Sequence, residues 1–204
     1  MTEHAWRPVA ARAASLLLRY PDRDTLEVLP TLLRALDALP SAVAARLRPV
    51  AEHRAGTGQG RLADDYVQLF DFRRRCCLYL TYYTAGDTRR RGEALVLFTA
   101  GYKAAGVEVV GGELPDYLPA VLDLAAVHDG GWRLLRENRV GLDLLASALE
   151  GAVYGHAVEA VRAMLPPPQP GDIAAAVRLA QTGPPVEQVG LEPFGLVDTT
   201  GGRR

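Results

Sequence analysis

Apolar residues recur at helical spacing along almost the whole chain, and the alternation that marks a strand is hard to find. Ala10, Ala14, Leu17 and Leu18 follow an i, i+4, i+7, i+8 stripe that stops before Pro21, the pattern of one buried helix face. Leu26, Leu29, Leu32, Leu33 and Leu36 make a second helix, with Asp24 or Thr25 as its cap and Pro30 in the first turn or two, where proline costs least. Pro40 ends it, and a third helix is expected from Ser41 to about Arg54. GTGQG, Gly56 to Gly60, reads as a linker rather than a phosphate loop, because no Lys-Ser/Thr follows and no strand precedes it.

LADDYVQLFD, Leu62 to Asp71, places Leu62, Tyr66, Leu69 and Phe70 on one side and Asp64, Asp65 and Gln68 on the other, so an amphipathic helix with an inward aromatic stripe is expected. LYLTYY, Leu78 to Tyr83, is the densest aromatic stretch. With helical neighbours and no turn-linked partner strand in view, the expectation there is a helix ending at Gly86. Asp87 or Thr88 caps a long helix with Leu95, Phe98, Tyr102 and Ala105 on one face, and Gly106 closes it. Val107 to Val110 is an extended connector into GGELPDYLP, Gly111 to Pro119, where Gly111, Gly112 and Pro115 force a defined loop. Asp116 is the expected N-cap of the next helix, whose buried stripe is Leu118, Val121, Leu122 and Ala125.

Trp132, Leu135, Leu142, Leu145 and Leu149 continue the pattern with a break near Asn138, and a last helix is expected from about Gly155 to Leu165. PPPQPG, Pro166 to Gly171, interrupts the fold; Asp172 to Thr182 reads as a short outlying helix, and the chain from Gly183 onward as irregular. The expected architecture is therefore all-α: a single-domain helical bundle over residues 1–165, followed by a Pro/Gly-rich linker, a short helix and a flexible tail over 166–204.

With 204 residues, 49% of them hydrophobic, the chain can bury a sizeable core. A formal net charge of -1 provides no global field toward nucleic acid or anionic lipid, and no apolar run approaches the roughly 18 residues that cross a bilayer. The N-terminus has neither the basic nor the apolar region of an export signal. Cys76 and Cys77 are adjacent, a spacing that suits neither a mutual disulfide nor a tetrahedral metal site. A cytoplasmic protein is expected. Two arginine triplets, Arg73 to Arg75 and Arg89 to Arg91, read as solvated helix ends that are also capable of bidentate contacts to carboxylate or phosphate.

No constellation points to bond-breaking chemistry. Asp64 and Asp65 lack a further carboxylate one turn on, where Gln68 and Leu69 stand; the histidines are scattered singly; and no His accompanies the cysteines. The chain is expected to be neither an enzyme nor a holder of metal or cofactor. Glu113 and Asp116, three apart on the loop with Leu114 and Tyr117, read as an acid/base pair without a cleft signature, as loop-fixing caps, or as acceptors presented to a basic peptide.

DYVQLFD at Asp65 to Asp71, TRRRGEAL at Thr88 to Leu95, GYKAAGVEV at Gly101 to Val109 and ELPDYLPAVLDLAA at Glu113 to Ala126 occur in an order and spacing that resembles the NarJ-type delta chaperones of respiratory nitrate reductase. The resemblance covers roughly positions 10 to 165 and departs at Tyr117, where wider members often carry His. It implies the helical fold shared with the TorD and DmsD redox-enzyme maturation chaperones. It further implies a cytoplasmic factor that binds the N-terminal segment of the apo nitrate reductase catalytic (alpha) subunit, keeps it competent for molybdenum cofactor insertion and delays membrane docking. The competing reading is a generic helical scaffold or regulator with no role in cofactor assembly.

Combined with the residue pattern, this predicts a groove for a short amphipathic helix. Its walls would be Tyr66, Leu69 and Phe70 on one side and the loop Leu114, Pro115, Asp116, Tyr117 and Leu118 on the other, with Asp71, Glu113 and Asp116 facing basic residues. Burying three or four large side chains at roughly 1.5–3 kcal/mol each, less about 2–5 kcal/mol for ordering the peptide, puts micromolar affinity within reach. Val186, Val189, Leu191 and Phe194 in the tail are apolar residues able to occupy the same groove as an internal pseudo-ligand.

Overall fold

Four alanines set the packing of the first helix. The computed structural model describes residues 5–109 and 111–185. α1, Arg7–Leu18, buries Ala10, Ala11, Ala13 and Ala14 together with Ser15, Leu17 and Leu18, and these small side chains let α8, Leu118–Val127, approach closely. The buried Ser15 hydroxyl donates to the Pro119 carbonyl at 2.9 Å, fastening α1 to the first turn of α8. α1 also packs on α3, Leu29–Leu36, on α4, Ser41–Gly56, and on α11, Gly155–Ala163, and so lies at the centre of the bundle.

The expected second helix is two. α2, Arg23–Glu27, is capped by Asp22, whose carboxylate accepts from the Thr25 amide at 2.8 Å; neither Asp24 nor Thr25 is the cap. Proline at position 30 has no N–H to offer and its ring excludes a helix continuing through Leu26, so the chain restarts at Leu29 with Pro30 in the first turn of α3. The linker is also shorter than expected, because α4 runs on to Gly56 and α5, Gln59–Tyr66, begins directly after Gly58.

After Tyr66 the helix widens into a π-turn, Val67–Asp71, in which the Phe72 amide donates to the Val67 carbonyl at 3.1 Å. The extra residue per turn keeps Phe70 in the core and leaves Leu69 half-buried. A single 3-10 turn, Arg74–Cys76, follows.

Leu78 to Leu80 is extended rather than helical. Tyr79 forms an isolated antiparallel bridge with Tyr117: Leu118 N donates to Leu78 O at 2.8 Å and Leu80 N donates to Asp116 O at 3.1 Å. The partner lies more than thirty residues away, beyond the reach of a turn-based reading. Helix resumes only at α6, Tyr82–Ala85, which ends at Gly86 as expected.

α7, Arg89–Ala104, buries Phe98 and Tyr102, and Gly106 closes it at φ +68°. α8 starts after Tyr117, so Tyr117 and not Asp116 occupies the N-cap position, with Pro119 in the first turn and Leu118, Val121, Leu122 and Ala125 buried. α9, Asp129–Glu137, is capped by His128, whose Nδ1 accepts from the Gly130 amide at 2.9 Å. Asn138 separates it from α10, Arg139–Ala148. α12, Pro170–Thr182, has a reciprocal Gln169/Asp172 capping box, buries no residue and lies along α10. The fold is all-α among the described residues, with twelve α-helices around one apolar core. None of these helices is long and apolar enough to cross a membrane.

Candidate peptide-binding surface

The bridge between Tyr79 and Tyr117 organises the site. Asp116, with no exposed surface, turns its carboxylate inward, accepting from the Thr81 amide at 3.1 Å and from the Thr81 hydroxyl at 2.6 Å, with Arg91 Nη2 at 3.9 Å. It holds the loop to the extended segment. Asp116→Ala is expected to leave both Thr81 donors unpaired in the interior and to cost about 2–4 kcal/mol, read by denaturant unfolding, with Asp116→Asn costing less because one acceptor remains.

Tyrosines join the two motifs. Tyr66 donates its hydroxyl to Leu18 O at 3.0 Å and lies 3.3 Å from the Tyr117 hydroxyl. The Tyr117 ring sits 5.6 Å from that of Tyr79, whose hydroxyl donates to Glu113 at 2.9 Å. Burial pushes the Tyr117 hydroxyl above the ordinary tyrosine value; the Glu113 and Asp71 carboxylates add to the rise, while the hydrogen bond with Tyr66 and the Arg19 guanidinium oppose it.

Two clefts border this tyrosine cluster. One, of about 290 Å³, is lined by Phe70, Asp71, Arg74, Tyr79, Tyr82 and Arg91 among others. The other, of about 460 Å³, is lined by Arg19, Tyr102, Glu113, Tyr117, Asp123 and neighbours. Asp123 takes ion pairs from both Arg12 and Arg19, and the buried Tyr102 hydroxyl has no hydrogen-bond partner among the described residues. A third groove, of about 660 Å³, runs between α1, α3 and α8 and is the most apolar, with Val9, Val28 and Val127 exposed along it. Cys77 also borders the smallest cleft, but burial raises its thiol above the ordinary value and keeps it protonated.

The ten residues expected at the site divide by exposure. Tyr66 and Phe70 are each 5% exposed, and Leu118 and Asp116 are fully buried, so these four shape the site from within. Asp71 and Leu114 are exposed, and Leu69, Glu113, Pro115 and Tyr117 are half-buried. The structure brings Tyr66 to Tyr117 but assigns Phe70 and Asp71 to one cleft and Glu113 and Tyr117 to the other. Tyr79, Arg91, Tyr102 and Asp123 were not singled out as site residues; the aromatic density of LYLTYY and the second arginine triplet were the available signals for the first two.

A family model described as the nitrate reductase delta subunit matches residues 36–156. The chain belongs to the nitrate reductase delta subunit family. The matched span runs from the end of α3 to the start of α11 and contains both motifs, Leu62 to Asp71 and Gly111 to Pro119. A relative from Mycobacterium tuberculosis, named nitrate reductase-like protein NarX, is 41% identical over 160 residues; the match covers 76% of this chain but only 24% of that protein. A Bacillus subtilis protein that carries the name "Probable nitrate reductase molybdenum cofactor assembly chaperone NarJ" is 32% identical over 124 residues, covering 60% of this chain and 67% of that one. The delta-subunit fold is also that of an Archaeoglobus fulgidus protein assigned as a redox enzyme maturation protein: a crystal structure matches with a TM-score of 0.58 at 20% identity over 80% of this chain and 95% of the other.

Proposed function

We propose that this delta-subunit chain is a system-specific assembly chaperone: it binds the N-terminal segment of the apo nitrate reductase catalytic subunit and holds it while the molybdenum cofactor is inserted, before the subunit docks at the membrane. Family membership and the NarJ relatives support the enzyme system. Contact between the two motifs supports the site, since the Tyr66 hydroxyl of the helix wall lies 3.3 Å from the Tyr117 hydroxyl of the loop wall.

The exposed members make the contacts. Leu69, Leu114 and the Tyr117 ring receive the apolar face of an amphipathic segment, and Asp71 and Glu113 take its basic residues. Tyr66, Phe70, Asp116 and Leu118 hold these groups in place from behind, and the half-buried Pro115 fixes the loop between Leu114 and Asp116. Capture by the full chain from a nitrate-respiring extract is expected to recover the catalytic subunit without its cofactor. Recovery of the cofactor-loaded subunit alone, or of neither form, favours a generic scaffold.

A further inference from the structure

The described chain ends against the smaller cleft. Gly86 has φ +60°, and a Cβ added there would run into the backbone of Pro185, so the segment after α12 is seated directly on the turn that ends α6. The next residue, Asp87, lines the cleft of Phe70, Arg74, Tyr79, Tyr82 and Arg91. Pro185, the last described residue, therefore lies at the cleft's edge. Nine residues, Val186 to Phe194, span up to ~30 Å when extended, several times what reaching into the cleft requires.

Chemistry matches on both sides. The stretch Val186 to Asp198 carries Val186, Val189, Leu191 and Phe194, three carboxylates at Glu187, Glu192 and Asp198, and no lysine or arginine. The cleft has aromatic walls in Phe70, Tyr79 and Tyr82; its two arginines, Arg74 and Arg91, come one from each triplet and both pair with Asp87, which lines the cleft together with Asp71. Arg73, Arg75 and Arg90 stand exposed next to them in sequence. At about 290 Å³ the cleft is smaller than most small-molecule sites, a size that suits one or two side chains from an extended segment.

We infer that residues 186–198 are an internal ligand of this cleft, with an apolar side chain such as Phe194 between Tyr79 and Tyr82 and the acidic residues against the arginine triplets. The tail thereby competes with the target for the Asp71 side of the site; that consequence rests on the chaperone reading, whereas occupancy of the cleft does not. These tail residues lie outside the described residues. Their linkage makes the competition intramolecular, so even a weak contact is effective.

The test uses the full chain with a benzophenone side chain in place of Phe194, irradiated at low protein concentration and mapped by mass spectrometry. Adducts within one chain to residues 70–91 are expected, and Glu187→Lys with Glu192→Lys should lower their yield about fivefold or more, as should high salt. Adducts elsewhere on the chain, adducts only between two copies, or none at all overturn occupancy. Adding a peptide of the catalytic subunit's N-terminus should then reduce the yield in step with its binding. A peptide that binds without reducing the yield overturns competition; a peptide that does not bind, with adducts intact, counts against the chaperone reading and leaves occupancy standing.

Discussion

Gly131→Ala is expected to be the most damaging conservative change in the bundle. A Cβ at Gly131 would fall inside the backbone of Leu124 and Ala125, where α9 turns back on the end of α8. Backbone cannot yield as the tip of a side chain does, so the two helices must separate or the turn at His128 must open. A loss of about 3 kcal/mol or more is expected, which lowers the unfolding temperature by roughly 6–12 °C for a chain of this size. Gly92→Ala in α7 is the control: it meets nothing within 4 Å, and a helix interior gains from the exchange. Equal melting temperatures for both variants would contradict the close approach of α8 and α9.

Arg54→Met is the second large effect, because Arg54 closes the end of the central helix. Its side chain is 1% exposed, and one terminal nitrogen donates to Leu16 O at 2.8 Å, Leu17 O at 3.0 Å and Arg19 O at 3.1 Å, while the other donates to Thr25 Oγ1 at 3.1 Å. Ser15 O accepts from the Arg19 amide and Leu18 O from the Tyr66 hydroxyl. All four terminal carbonyls of α1 are thus satisfied, two of them by one buried cation that also complements the negative end of the helix. Removing it strands several buried acceptors at once, for an expected loss of about 3–5 kcal/mol, while Arg54→Lys keeps the charge but not the fork and should fall in between. Equilibrium unfolding checks both; a loss for Arg54→Met under about 1 kcal/mol would mean that water or other groups satisfy the helix end.

The helical elements were legible because their apolar stripes are regular. α1, α7, α10 and α11 lie where the periodicity places them, and Asn138 interrupts the pattern where expected. What escaped depends on distant partners. Asp116 has the sequence position of a cap, yet its carboxylate is taken by Thr81, thirty-five residues back. Leu78 to Leu80 is extended because its hydrogen-bond partner is the same distant loop. Arg54 is legible only as the end of the expected third helix, and the tertiary arrangement alone puts the end of α1 beneath it.

The site follows the same division. That the two motifs meet was legible, and Tyr66 and Tyr117 are where they do so. The inward aromatic stripe of Tyr66 and Phe70 was legible from its spacing, whereas the two clefts that flank the tyrosine cluster were not, because they depend on the pairing of Tyr79 with the distant Tyr117. The tail residues Val186, Val189, Leu191 and Phe194 fall outside the described residues.

The central claim is tested most directly by calorimetric titration of the catalytic subunit's N-terminal peptide into the full chain and into Asp71→Ala with Glu113→Ala. Both carboxylates are at least partly exposed and Asp71 makes no ion pair among the described residues, while Glu113 accepts from the Tyr79 hydroxyl, so the double variant should lose about 1–2 kcal/mol and remain folded. Micromolar binding is expected for the parent, weakened about tenfold in the double variant, with the greater share of the loss at low salt. Unchanged affinity in a folded double variant would contradict the assignment of the site, and absence of binding to the parent would contradict the function.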